Sequence, residues 1–506
     1  MDSKSDFATS RRQFIQSSAM VSSTLLSLHP IAGASPKDSP FWHKAMAKPA
    51  KEFSQTPLKI LAGSIPEGIE GSLYRNGPGR IKRGDTTVGH WFDGDGALLQ
   101  IQIANGMARG AYKFIQTEKY IAEEKSGQYI YPGLGTMPPG KKFWNRSILN
   151  IKSPANTSVL ATEDKILALW EGDYPYSIDP LDLSTIGPDN LGGFLDQFGY
   201  FPAHPKVDPA TGEILCFSIP KRALNKLNLF IADMKFNLLR HKTIELPHKT
   251  FIHDMAITDQ YFIFCVMPLE INLLPAMAGI KNYFDCVQWS PSKGNHYLVI
   301  DRNTLDIVHQ IQGQSHFHWH LSHARRDGNQ IKFTAVAYDN FDNHNRWLGE
   351  VPSGKTKTYG NQGTLREITL DLDKETVASE EQVMDFRCEF PVEDLRNNHM
   401  VYLNSYQFKK NQPEEIFDSI CSVDLRSGKT KVAAFGTGYN YSEPIYVQDK
   451  YLKDRGWILT VVYSSADHSS MLMVYDADHL DADPVAIAAL PEVIPPSFHG
   501  KFLPHS

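Results

Sequence analysis

Leu98-Leu99-Gln100-Ile101-Gln102-Ile103-Ala104-Asn105-Gly106 sets the reading of this chain. From Leu99 to Ile103 apolar and polar residues alternate, the two-residue period of a strand with one face on a core. Asn105-Gly106 then supplies a tight turn. The same grammar runs outward along the chain. Trp457-Ile458-Leu459-Thr460-Val461-Val462-Tyr463 is a second such strand. An apolar residue, then Asp, then a polar turn recurs at Ile178-Asp179-Pro180, Val207-Asp208-Pro209, Ile300-Asp301-Arg302, Leu370-Asp371-Leu372, Val423-Asp424-Leu425 and Tyr475-Asp476-Ala477. Asp at a turn start caps the local backbone, and Thr211-Gly212 and Ser427-Gly428 supply tight corners. Segments of helical period are scarce. In the apolar stretch Met267 to Ile280, Pro268 and Pro275 argue against one regular helix. The expected class is all-β. Hairpins repeated with variable insertions suit a radial propeller, and an array of sandwiches stays open on this pattern alone.

Composition narrows the function. The chain has 506 residues, 42% hydrophobic and 21% charged, which is globular material with ample core. Lys+Arg 51 against Asp+Glu 57 gives a net charge of −6, and no segment collects basic charge, which excludes a nucleic-acid binder. Cys216, Cys265, Cys286, Cys388 and Cys421 lie far apart without Cys-x-x-Cys, against a disulfide framework or a thiolate zinc site. No P-loop, dinucleotide fingerprint, H-E-x-x-H or G-x-S-x-G is present. Asp93-Gly94-Asp95-Gly96 starts like a calcium loop, but Ala104 stands where the closing Glu belongs, so it reads as a turn.

The amino terminus is set apart from the fold. Ser10-Arg11-Arg12-Gln13-Phe14-Ile15, an apolar stretch from Ala19 to Leu28, and Ala32-Gly33-Ala34 resemble a twin-arginine export signal. Residues 1–34 are expected to be that signal peptide and 35–506 one domain, working in the periplasm or beyond. His29-Pro30 interrupts the apolar run, so no spanning helix is expected there.

The 19 histidines carry the chemistry. His204 lies in Phe-Pro-Ala-His-Pro, His253 in Phe-Ile-His-Asp-Met-Ala and His499 in Pro-Pro-Ser-Phe-His-Gly. His316, His318, His320 and His323 crowd Phe317 and Trp319. Taken singly, each reads as a satisfied core histidine. Taken together, imidazoles on distant strands converge only where a closed fold brings strand ends to a common axis. Imidazoles without cysteine suit iron, zinc, copper or nickel. On a regular strand His316, His318 and His320 share one face, so alternation does not choose among them.

These residues carry a family resemblance. Glu67-Gly68-Ile69-Glu70-Gly71-Ser72-Leu73-Tyr74-Arg75-Asn76-Gly77-Pro78-Gly79, His90-Trp91-Phe92-Asp93-Gly94-Asp95-Gly96, Ala155-Asn156-Thr157-Ser158-Val159, Leu167-Ala168-Leu169-Trp170-Glu171-Gly172, Ser442-Glu443-Pro444 and Phe498-His499-Gly500 resemble the carotenoid cleavage oxygenases. That family also holds stilbene-cleaving dioxygenases and a retinoid isomerase. The resemblance implies a seven-bladed β-propeller, with loop and helix insertions over one face and Fe(II) held on its axis by four His. Carried over by motif, the ligands are His204, His253, His318 and His499, with Glu171, Glu389 and Glu443 behind them. After the third His this sequence departs from the family pattern, continuing Leu321-Ser322-His323-Ala324. Phe317 before it favours His318, with His316 and His320 as alternatives.

The implied reaction adds both atoms of O2 across one conjugated double bond and releases two carbonyl fragments. The protein supplies a dry, shaped tunnel. Trp170, Phe251 and Phe317 are its expected walls, each also readable as core packing. Met267 to Ile280 is the expected apolar mouth, resting on a membrane, or else a buried loop. Ala155-Asn156-Thr157 and Gly133-Leu134-Gly135-Thr136 lean toward an apocarotenoid substrate over a stilbene or phenylpropanoid. A non-catalytic propeller that only binds a ligand is the reading from outside enzymology.

Overall fold

The structure, a computed structural model, describes residues 40–140, 143–208, 210–220, 223–355, 363–394, 396–406, 416–436 and 438–505. The twin-arginine-like segment, residues 1–34, lies outside them.

The opening stretch forms a hairpin between strands Asp95–Ala104 and Met107–Phe114. Asn105 and Gly106 sit at φ 51° and 70°, so both turn residues take the left-handed conformation that a two-residue hairpin of this hand requires. Leu99, Ile101 and Ile103 are buried against Leu73, Leu459 and Leu472. The alternation misreads Gln100, which is also buried and donates to the Tyr74 hydroxyl at 2.9 Å. Both faces of this sheet are covered.

The chain is mostly β, as expected. Among the described residues it builds six sheets of four to seven strands and two two-stranded ribbons, and no sheet closes on itself. Among the described residues all paired strands are antiparallel, and most are consecutive. Two sheets pair the ends of the chain: Gly500–Pro504 returns to pair with Gly71–Arg80, and Ala486–Ala489 pairs with Lys59–Gly63. Three four-stranded sheets follow, opening at Ser158–Ala161, Lys206–Val207 and Ala256–Ile257. A seven-stranded sheet runs from Phe317–Asp327 to Thr430–Ala433. The six-stranded sheet joins Lys59–Gly63 to strands from Tyr439–Tyr441 onward.

The recurring Asp is a cap at these corners. The Oδ1 atoms of Asp179, Asp208, Asp301 and Asp424 each accept from the backbone N–H two residues on, at 2.8 Å. The stretch Met267 to Ile280 is broken as its prolines require, into a short strand Leu269–Ile271 and a single helical turn Leu274–Met277. No helix among the described residues is long and apolar enough to cross a membrane. All five cysteines are free and buried. The Asp93 carboxylate is filled by Leu134 N, Gly135 N and Thr136 Oγ1, and Asp95 by Lys152 and Arg83, so neither is left for calcium.

Candidate metal centre

Four imidazoles from four sheets meet at one point. His204 lies two residues before strand Lys206–Val207, His253 three before Ala256–Ile257, and His499 directly before Gly500–Pro504; His320 lies within Phe317–Asp327. One ring nitrogen of each falls within 4.8 Å of the others. His204 Nε2 is 2.9 Å from His253 Nε2, and His320 Nε2 is 3.1 Å from His499 Nε2.

The opposite ring nitrogens meet carboxylates. His253 Nδ1 donates to Glu171 at 2.8 Å, His320 Nδ1 to Glu389 at 2.5 Å, and His499 Nδ1 to Glu443 at 2.9 Å. An Nδ1 that donates to a carboxylate carries the ring's proton, so each Nε2 presents a lone pair. Lone pairs facing one another at such distances repel, and a shared cation relieves them. Two nitrogens each about 2.1 Å from one ion and at right angles to each other lie about 3 Å apart, the spacing found here. The donor set therefore fits a d-block metal ion. Three carboxylates behind it offset a divalent charge in a site that water reaches poorly.

Electrostatics follow burial and pairing. Burial alone raises the carboxyls of Glu171 and Glu389, but His253 and His320 outweigh it and hold both below the usual carboxylate value. Burial pushes His204 well below the usual imidazole value, and the other three His add to it. His204 stands ready as a neutral donor, and Glu171 and Glu389 as charged acceptors.

Of the sequence-derived ligands, His204, His253 and His499 lie in this cluster and His318 does not. The reason is a β-bulge. His318 pairs with Ala337 and Leu321 with Ala335, so three steps on one strand match two on its neighbour. The extra residue breaks the alternation that put His318 and His320 on one face. His320 turns to the cluster, while His318 turns back to His316 and Cys265. The first-match rule of a preceding Phe does not see this.

Four supporting residues were not anticipated. Asp254 ties three ligand segments together, through Lys206 Nζ at 2.9 Å, the Met255 N–H at 2.8 Å and the Leu321 N–H at 3.0 Å. Tyr338 donates to the Glu389 carboxylate at 2.7 Å. Arg75 is buried, and its guanidinium donates to Ser497 Oγ, Glu443 O and Phe498 O at 3.0, 2.8 and 3.0 Å. Phe390 holds the left-handed conformation at φ 55°, costly for a bulky residue, beside the rings of His320 and His499. Asp254 and Phe390 directly follow His253 and Glu389, and Arg75 lies in one of the motifs that carry the resemblance, whereas no motif marks Tyr338.

An aromatic cavity opens on the cluster. His253, His320 and His499 are in its wall with Trp170, Phe92, Trp319, Trp347 and Phe390. Of the expected walls, Trp170 lines it and Phe251 and Phe317 do not. Phe317 is fully buried behind Trp319, edge to face with it at 5.0 Å, and Phe251 stacks on Trp319 at 5.7 Å. Both support the wall from outside.

The sequence profile described as "Retinal pigment epithelial membrane protein" (RPE65) matches residues 46–504. The chain belongs to the RPE65/carotenoid cleavage oxygenase family. Within it, the chain is 34% identical to the apocarotenoid-15,15'-oxygenase of Synechocystis sp., over 88% of this chain and 92% of that protein. It is 26% identical to resveratrol cleavage oxygenase 1 of Aspergillus fumigatus, over 85% and 89% of the two. The fold is similar to that of cobalt-substituted Synechocystis ACO, with a TM-score of 0.84 at 31% identity, covering 92% of this chain and 98% of that one. A transition metal thus occupies that relative.

Proposed function

We propose that this chain is a non-haem Fe(II) dioxygenase that cleaves a conjugated double bond of a carotenoid or apocarotenoid. The observation that carries the reading is four convergent imidazoles, three braced by Glu171, Glu389 and Glu443, in the wall of an aromatic cavity. Fe(II), when bound, supplies activation of O2. His204, His253, His320 and His499 would hold it. In the overall change one C=C bond and the O–O bond break and two C=O bonds form. Trp170, Trp319 and Phe390 hold a flat conjugated chain by ring contact and exclude water. The preference for an apocarotenoid over a stilbene rests on the higher identity to the apocarotenoid oxygenase. Incubating the iron-loaded enzyme with an apocarotenal and with a hydroxystilbene tests it. Aldehyde products are expected from the apocarotenal at a kcat/KM at least tenfold higher. Products from the stilbene alone would reverse the assignment, and none from either would remove it.

The architecture we propose is a seven-bladed propeller. Support comes from the strand Thr376–Asp394, whose first part pairs with Thr364–Asp371 and whose end pairs with Asn397–Tyr406. Dividing the seven-stranded sheet there turns six sheets into seven blades. Every large sheet also sends at least one His or Glu to the centre, as a common axis requires.

We also propose that the polyene enters from a lipid surface. Trp144, Leu149, Leu274 and Ile280 are 70% or more exposed, and Ser147 Oγ bonded to Met277 O joins the two segments. Phe284 N and Asn282 Nδ2 pack this region onto Leu134 O and Gly135 O, and Leu134 lines the cavity. Flotation with phosphatidylcholine vesicles is expected to carry the wild type and to lose Trp144→Glu/Leu274→Glu. Equal flotation of both would place the binding elsewhere.

A further inference from the structure

We propose that Cys265, His316 and His318 form a second metal site, which takes Zn2+. Cys265 lies near the end of strand Tyr261–Val266, His318 at the start of Phe317–Asp327, and His316 just before it. The thiol sulfur and one nitrogen of each ring lie within 4.8 Å of one another. All three side chains are at most 2% exposed. Nε2 of His316 and Nδ1 of His318 are buried without a hydrogen-bond partner, and Nδ1 of His316 faces Glu380. Two orphaned imidazole nitrogens beside a thiol are a donor set without its acceptor.

The surroundings repeat the logic of the first site. Glu380 Oε1 lies 3.3 Å from His316 Nδ1 and is held in place by Arg366 at 2.7 Å. A carboxylate behind one ring nitrogen directs the other at the metal. One sulfur and two imidazoles select Zn2+ over Fe2+, and tetrahedral Zn2+ draws such donors to about 3.5 Å apart. Binding replaces the Sγ–H bond by Sγ–Zn and releases one proton to solvent. The thiolate and Glu380 then offset the divalent charge.

This site needs no Cys-x-x-Cys, because its ligands come from two sheets. The strand Tyr261–Val266 belongs to a four-stranded sheet and Phe317–Asp327 to the seven-stranded one. Zn2+ here staples the two at the bulge that turns His320 the other way. The inference is independent of the reaction proposed above.

Metal-free full-length protein titrated with Co2+ tests it, because a thiolate ligand gives a near-ultraviolet charge-transfer band that an all-imidazole site cannot give. The expected band saturates at one equivalent per chain, disappears when Zn2+ is added, and is absent in Cys265→Ser and Cys265→Ala. Both variants still bind one equivalent of Co2+. Zn2+ is expected to raise the unfolding midpoint of the wild type and not of the variants. No thiolate band in the wild type, or a band that survives loss of Cys265, overturns the proposal.

Discussion

His320→Ala is expected to lose the iron proposed for the cluster and, with it, all measurable cleavage, whereas His318→Ala keeps that iron. The two residues are neighbours but one in sequence, and both are buried. Their side chains separate at the bulge between His318 and Leu321, which leaves only His320 Nε2 at the cluster. Removing an outer partner of a metal ligand costs about 10–100-fold in affinity. Removing His320 deletes a ligand and also leaves the Glu389 carboxylate buried without its main partner, so the loss of iron affinity is expected to exceed about 100-fold. Iron content by elemental analysis and aldehyde formation are the measurements. Iron lost from His318→Ala and retained in His320→Ala would restore the assignment that the Phe317-His318 match first suggested.

Arg75→Ala is expected to lower both stability and iron affinity. Arg75 sits in the Tyr-Arg-Asn-Gly-Pro motif, far in sequence from any ligand, yet its guanidinium bonds the backbone carbonyls of Glu443 and Phe498. Burial lowers its pKa to about 10, with Glu443 opposing, so it stays charged at neutral pH. Alanine strips a buried charge from its partners and leaves two carbonyls unsatisfied. The expected cost is about 3–5 kcal/mol, read as a lower urea midpoint with an unchanged slope. Phe498 and Glu443 are what place His499, so weaker iron retention accompanies the lost stability. Arg75→Lys keeps the charge but not the three-way reach and is expected to recover only part of it. An unchanged midpoint and full iron content in Arg75→Ala would show that the motif does not position His499.

The strand grammar was legible because its cause is local: alternation, Asn-Gly and capping Asp act within a few residues. His204, His253, His499 and the three Glu were legible only through motifs shared with a family, since nothing in Leu-Trp-Glu-Gly by itself says that Glu171 faces His253. The third histidine of the cluster stayed open among His316, His318 and His320, with His318 favoured, because a bulge is a mismatch between two strands and one strand's sequence does not contain its partner's register. Phe251 and Phe317 were misplaced for a related reason. Proximity to a ligand in sequence says nothing of whether a ring fills the cavity or stands behind Trp319. Asp254 and Arg75 act largely through backbone groups, which carry no residue identity to read.

The edge strand Gly500–Pro504 gives the site an order of assembly. His499 precedes it directly, and Gly71–Arg80, its partner, lies near the other end of the domain. During synthesis the first three imidazoles emerge long before the fourth, so a nascent chain offers an incomplete, weakly binding set. A metal ion can be captured with full affinity only after translation has passed residue 504 and the strand Gly500–Pro504 has docked. Metal loading thereby reports that synthesis has passed the strand Gly500–Pro504.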